Sequence, residues 1–170
     1  SGVVSATYDN FKTTVIDLVS EYAKQKIFPV GRLDIDTEGL LLITNDGMLC
    51  HELLSPSKHV DKTYYVEFVG EFKDEYYKAF NDGITLEDGY VTLPGEIKLV
   101  GENKAHVTIH EGKFHQVKRM FESVGKKVVY LKRLSMGQLK LDENLALGEY
   151  RELTEEEIKQ AINDIMKSLN

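Results

Sequence analysis

The chain has 170 residues, 42% of them hydrophobic and 29% charged, the balance of one ordinary soluble globular domain long enough to bury a core. No apolar run approaches the roughly 18 residues of a membrane-spanning helix, no signal-peptide pattern is visible, and a single cysteine, Cys50, excludes an internal disulfide and fits a reducing cytoplasm. The net charge of −7 argues against a general nucleic-acid binder.

In chain order, residues 1–7 read as a short strand-like piece. Thr14 with Asp17 three residues on, followed by Ile16, Val19 and Tyr22, predicts a capped amphipathic helix. Residues 28–30 lead into the stretch around which the chain is organised, 31–47. It begins Gly31-Arg32-Leu33-Asp34, continues Ile35-Asp36-Thr37-Glu38-Gly39, and closes on Asn45-Asp46-Gly47. The apolar run 40–43 between the two turns predicts a strand buried on both faces. Loops held by rigid supports are where site residues usually sit, so Arg32, Asp34 and Asp36 cluster where the chain enters the core. Taken singly, an Asp in such a turn more often bonds nearby amides. Residues 48–54 predict a short helix stopped at Ser55-Pro56. Cys50 and His51 on it have neither a base nor an orienting partner and read as structural.

Residues 62–69, rich in β-branched and aromatic side chains, predict a strand with Tyr64, Val66 and Phe68 on one face. A helix follows over 74–82, with Tyr77 and Phe80 inward and a stop at Gly83. The spacing of Gly89, Pro94 and Gly95 suggests hairpins across 84–100. Ala105, Val107 and Ile109 alternate with polar neighbours as in a half-buried strand. His106 and His110, four apart on that strand, stand about 13 Å from one another, too far to share a metal ion. Phe114, Val117, Phe121 and Val124 follow helical spacing and predict a core stripe, with His115, Lys118, Arg119 and Glu122 on the other flank and Gly125 as terminator. Residues 126–133 predict a basic strand, and 134–137 could floor a pocket. The last helix opens on a capping box, Thr154 with Glu157, and a hydrophobic staple, Leu153 with Ile158. Ile158, Ile162, Ile165 and Leu169 form its expected buried face.

Charge is unevenly spread. Residues 113–133 hold seven Lys or Arg against one acid, Glu122, whereas 142–164 hold eight acids against Arg151 and Lys159. A basic segment on an acidic chain suggests one face for an anion, the remainder serving solubility.

The motifs together are more specific than any single part. Gly-Arg-Leu-Asp followed by Ile-Asp-Thr-Glu-Gly-Leu-Leu-Leu-Ile-Thr-Asn-Asp-Gly, then Lys-Thr-Tyr at 62–64 and His-Gln-Val-Lys-Arg-Met-Phe at 115–121, closely resemble the signatures of the bacterial ribosomal RNA pseudouridine synthases. The likeness covers nearly the whole chain and is strongest to the small-subunit (16S) branch. A large-subunit target is the nearer alternative, and a non-catalytic RNA-binding or ribosome-assembly module the more distant one. The resemblance implies an α+β fold, a mixed, mainly antiparallel central sheet with flanking helices, over residues 1–170 as the catalytic domain. The irregular order of strands and helices, without repeated βαβ units, agrees. Relatives usually carry a Lys-containing motif and a small S4-like RNA-binding domain upstream. This chain is therefore expected to be either a catalytic fragment or a naturally short member.

By the same resemblance Asp34 is the catalytic carboxylate, Tyr64 packs on the target base, and a basic residue after His-Gln pairs with the Asp. Position favours Lys118, where many relatives have Arg, which leaves Lys118 and Arg119 both open. Arg32 occupies the space vacated by the base or holds a phosphate. Lys113, His115, Gln116, Arg119, Lys132 and Arg133 are the expected RNA contacts. Pseudouridine formation detaches uracil from C1′ and rejoins it through C5, so neither cofactor nor metal is required. One carboxylate acts as nucleophile or as base, and a cation within about 4–6 Å of a buried carboxylate offsets its desolvation. The target must be extruded from its stack at roughly a few kcal/mol, and an aromatic face returns about 1–3 kcal/mol. The expected partner is ribosomal RNA in a protein-bound assembly intermediate, the expected state a monomer and the expected location the cytoplasm.

Overall fold

The computed structural model describes residues 1–3, 5, 9–10 and 12–167. The strand-like piece expected at 1–7 falls partly on Val4, Ala6 and Thr7, and these, like Leu169 of the last helix, lie outside the described residues. The first helix, α1 (Val15–Leu18), has the expected capping box. The Asp17 amide donates to the Thr14 hydroxyl, and the Asp17 carboxylate accepts from the Thr14 amide at 2.8 Å. A 3-10 turn, Ser20–Gln25, leads on to β1 (Phe28–Pro29).

The run 40–43 is not one buried strand. Strand β2 (Glu38–Gly39) pairs in parallel with the later strand β7 (Lys127–Met136), whereas β3 (Ile43–Thr44) pairs antiparallel with β1. The chain changes partner in between. The Leu40 amide still reaches the Arg133 carbonyl at 2.9 Å, and by Leu42 the carbonyl accepts from Val30 at 2.8 Å. Only Leu42 of the run is fully buried. The pivot is Gly39, at φ 115°, where an added Cβ would lie 2.2 Å from the Arg133 carbonyl oxygen. No other residue type fits so close to a neighbouring backbone.

Helix α2 (Gly47–Leu54), capped by Asp46, precedes the central strand β4 (Lys62–Val69). Helix α3 (Asp74–Asp82) ends at Gly83 as predicted, and a bridge between Thr85 and Val91 marks the following hairpin. Strands β5 (Glu96–Gly101) and β6 (Lys104–Ile109) come next, then α4 (Gln116–Ser123), β7, the short β8 (Leu139–Lys140) and α5 (Glu155–Lys167). The main sheet has the order β2-β7-β4-β6-β5, with β8 on β7. All its pairings are antiparallel except β2 with β7. This is the mixed, mainly antiparallel α+β architecture that the resemblance implied.

Two cores build it. In the first, Val66, Phe68, Ala105, Val107, Ile109 and Leu131 from the sheet pack against Phe80 of α3 and Val117, Met120 and Phe121 of α4. In the second, Val30, Leu42, Leu53 and Val60 gather with Met136, Leu139 and Ala161 of α5. Strand β7 serves both. The segment carrying Asp34 thus hangs from the second core, while the helix that meets it is anchored in the first.

Two amphipathic faces differ from those predicted. Phe114 is 74% exposed, not part of the α4 stripe. His115 adopts a left-handed conformation, φ 47°, so the helix starts at Gln116 and the helical spacing does not extend back to Phe114. On α5, Ile158 and Ile162 are both 43% exposed, and Ala161 is the residue buried. Polar anchors set that rotation. The Glu157 carboxylate caps the Thr154 amide and pairs with Arg151 at 2.7 Å, and Asp164 accepts from the Gln138 amide at 2.8 Å. Positions 157, 161 and 164 share one face, which turns the isoleucines outward and leaves Ile158 poorly placed to staple Leu153.

Candidate active site

The loop between β1 and β2 carries Asp34, and the start of α4 faces it. The loop is held from both sides. The Ser5 hydroxyl, buried, accepts from the Leu33 amide at 3.0 Å and lies 3.2 Å from the Leu33 carbonyl, while the Thr37 amide donates to the Asp34 carbonyl at 2.8 Å. Across the gap, Lys118 Nζ stands 3.3 Å from Asp34 Oδ2, and His115 Nε2 stands 3.2 Å from Asp34 Oδ1. Lys118 also bonds Asp36 Oδ1 at 2.5 Å. That bond holds the Asp36 carboxyl below its usual range. Burial opposes the charge on Lys118, but the bonds to Asp36 and the field and bond of Asp34 outweigh it and raise the ammonium pKa.

Of the two candidate partners left open by position, Lys118 is therefore the one beside Asp34. Arg119 points elsewhere. Its Nε donates to Glu87 at 2.7 Å, its Nη2 pairs with Asp88 at 2.7 Å, and its Nη1 donates to the Phe114 carbonyl at 2.8 Å.

Several expected RNA contacts are placed differently from the sequence reading. Gln116 is buried, and both ends of its amide are engaged: Nε2 donates to Glu111 at 3.0 Å and Oε1 accepts from the Lys113 amide at 3.1 Å. Arg133 is only 2% exposed, and its Nε donates to the Leu40 carbonyl at 2.9 Å. Lys132, opposite Tyr65 in register, stands on the sheet face away from α4. Arg119, engaged by two carboxylates, offers no open cation. The basic run 113–133 is consequently dispersed, because strand alternation and two acids from the preceding hairpin divide it. Lys118 and His115 stay beside Asp34, and Lys113 Nζ lies 4.8 Å from the Tyr90 ring centre. Arg32 lies exposed in the Asp34 loop.

Tyr64 is half-buried on the α4 side of the sheet, packed against the first core, with Val107 and Arg133 as its register neighbours. Among the described residues no hydrogen bond joins it to Asp34, Lys118 or His115.

Two further contributors are Asp36, which the sequence placed in the turn with Asp34 without a role, and Glu111, which it did not single out. Asp36 shares Lys118 with Asp34. Glu111, buried, accepts from the Leu93 amide at 2.7 Å, from Gln116 Nε2 and from the Tyr90 hydroxyl, so it organises the loop that delivers His115. An acid between a buried strand and a Gly-Lys turn, Glu111-Gly112-Lys113, was the available signal.

The fold is that of the class the motifs suggested, and comparison with known proteins agrees. The sequence profile described as RNA pseudouridylate synthase matches residues 1–123. An uncharacterised RNA pseudouridine synthase of Bacillus subtilis is 52% identical over 162 residues, covering 92% of this chain and 68% of the relative. The ribosomal small subunit pseudouridine synthase A of Vibrio cholerae is 46% identical over 158 residues, with the same coverage. The crystal structure of a pseudouridylate synthase superimposes with a TM-score of 0.89 at 38% identity, covering 95% of this chain and 70% of that one. The chain belongs to the RNA pseudouridylate synthase family, whose members are isomerases.

Proposed function

We propose that this protein converts a specific uridine of ribosomal RNA, in the small-subunit (16S) molecule, to pseudouridine, with Asp34 as the catalytic carboxylate. The observation that supports this reading most directly is Asp34 itself, held between Lys118 at 3.3 Å and His115 at 3.2 Å on a loop that hangs from the second core. In the reaction the C1′–N1 bond breaks, the uracil turns, and a C5–C1′ bond forms while C5 loses a proton and N1 gains one. Atoms and electrons balance within the nucleotide, so the chemistry calls for no cofactor. Asp34 acts either as the nucleophile at C1′ or as a base toward the sugar. Lys118 and His115 orient it, and Lys118 supplies the compensating charge.

Tyr64 offers its ring face to the extruded uracil. Arg32, exposed on the same loop as Asp34, is placed to hold a phosphate or fill the vacated stack. The small-subunit target is supported by the relatives that carry that description, among them the Vibrio cholerae enzyme. The enzyme works as a monomer in the cytoplasm on a protein-bound assembly intermediate.

The test is tritium release from 5-tritiated uridine in small- and large-subunit ribosomal RNA and in assembly intermediates, with the modified position mapped. Release confined to the small-subunit RNA, and absent with Asp34→Asn, is expected. A modified site in large-subunit RNA would overturn the target, and full activity of the Asn variant would overturn the role of Asp34.

A further inference from the structure

We infer that the Phe114 ring is a stacking platform for a base of the substrate RNA next to the extruded uridine. The inference rests on the reading of Asp34 as the reacting group.

The Phe114 ring is 74% exposed, an aromatic face open to a flat partner. It is exposed by construction. Its ring lies flat on His115, with centroids 3.8 Å apart and planes 17° from parallel. Successive side chains ordinarily diverge, and the left-handed backbone at His115, φ 47°, brings these two together. The loop beneath is fixed at several points. Arg119 Nη1 holds the Phe114 carbonyl, Glu87 and Asp88 hold Arg119, and the Lys113 amide is tied to the buried Gln116. An aromatic presented by a rigid loop can bind a flat partner with little ordering cost.

Its place defines the partner. His115, under the ring, reaches Asp34 at 3.2 Å, so the platform stands one ring away from the reacting carboxylate. Lys113 precedes it in the same turn and supplies a charge of the kind a nucleic-acid backbone requires. A base neighbouring the target loses its stacking partner when the uridine leaves the helix, and a ring at this position replaces it. Every base has a π-face, so the platform would position the strand without reading sequence. A lipid surface needs a broader apolar face than one ring among cations.

The experiment uses tiled fragments of small-subunit ribosomal RNA carrying 2-aminopurine beside a 5-tritiated uridine. Fluorescence, affinity and tritium release are followed for the whole chain. Wild type is expected to quench 2-aminopurine on one side of the uridine. Phe114→Ala should lose the quench and weaken binding by about 5- to 150-fold, with an unchanged melting temperature because the ring is not in a core. Phe114→Tyr and Phe114→Trp should retain both properties, whereas Phe114→Leu, apolar but without a π-face, should behave like Ala. An Ala variant that quenches and binds as wild type does, or a Leu variant as good as Tyr, would overturn the platform. Wild type that quenches in a Phe114-dependent way but releases no tritium from any fragment or from assembly intermediates would overturn the proposed activity instead.

Discussion

Lys118 lies 3.3 Å from Asp34 and closer still, 2.5 Å, to Asp36, so one ammonium holds two carboxylates of the same loop. Asp36 is the more exposed of the two and its bond is the shorter, which makes it a positioning residue for Lys118 more than a competitor. Removing the cation should therefore affect chemistry directly. Lys118→Ala is expected to lower turnover by roughly 100-fold, as loss of a preorganised charge at a reacting centre typically does. Lys118→Arg should keep most of it, and Asp36→Asn should cost much less than Lys118→Ala. Steady-state tritium release from the RNA substrate measures all three; equal losses in the Lys118→Ala and Asp36→Asn proteins would show the pair acting as one unit.

Asp34→Asn should reduce turnover by at least about 1,000-fold, near the upper range for a lost catalytic acid–base group, with little change in fold. The carboxylate is on a loop and belongs to neither core, so substitution leaves the packing intact. Thermal melting alongside single-turnover kinetics separates the two effects. A variant that loses activity and melting temperature together would mean that Asp34 is structural.

Glu111 is expected to matter for stability. Truncation to Ala leaves the Leu93 amide, the Gln116 amide nitrogen and the Tyr90 hydroxyl without their acceptor, and buried unsatisfied donors cost about 1–3 kcal/mol each. Partial rehydration should bring the total to about 3 kcal/mol, read as a lower urea midpoint. Glu111→Gln, which keeps one acceptor, should lose less.

Lys62 carries the clearest pH signature. Burial, then the nearby charge of Arg133, pushes its pKa down to about 8 from an ordinary 10.5, against the opposing pull of Asp61 and Glu111. Below pH 8 the ammonium is charged in folded and unfolded chains alike, and the folded state bears the full penalty. Between about 8 and 10.5 the unfolded chain still binds the proton that the folded one has released, so stability rises with pH across that window and levels off above it. Lys62→Met should flatten that rise and stabilise the protein at neutral pH by roughly 1–3 kcal/mol. Denaturant midpoints measured from pH 7 to 10 test this. A midpoint for wild type that falls with pH relative to Lys62→Met would contradict it.

RNA binding by these residues alone should be weak and only mildly salt-dependent. Arg133 is buried, Arg119 and Lys118 are each paired with two acids, Lys126 lies over Tyr76 and Lys132 faces away from α4, leaving Lys113 and Arg32 as the cations of the site region. About two phosphate contacts give a slope of log affinity on log salt near −1.4 for a single strand. A slope several times steeper would mean that further cations are recruited.

The sequence by itself determined the fold class, most of the elements and which carboxylate to examine. Those readings rest on local properties: the alternation of 105–109, the caps at Thr14 and Thr154, the stop at Gly125, and the run of motif residues around Asp34. What only the tertiary structure decided depends on partners distant in the chain. Lys118 and Arg119 are adjacent and chemically alike, and their roles separated only when the Asp34 loop reached one and the 87–88 hairpin reached the other. The run 40–43 looked like one strand because its residues are uniformly apolar, yet it divides between two sheets because Gly39 lets the chain approach Arg133 and then leave it. Phe114 fits the helical period of α4, but one left-handed residue places it in solvent beside Asp34. Hydrophobic period records which residues can be buried. Which of them are buried is settled by the backbone turn and by the side chains that arrive from elsewhere.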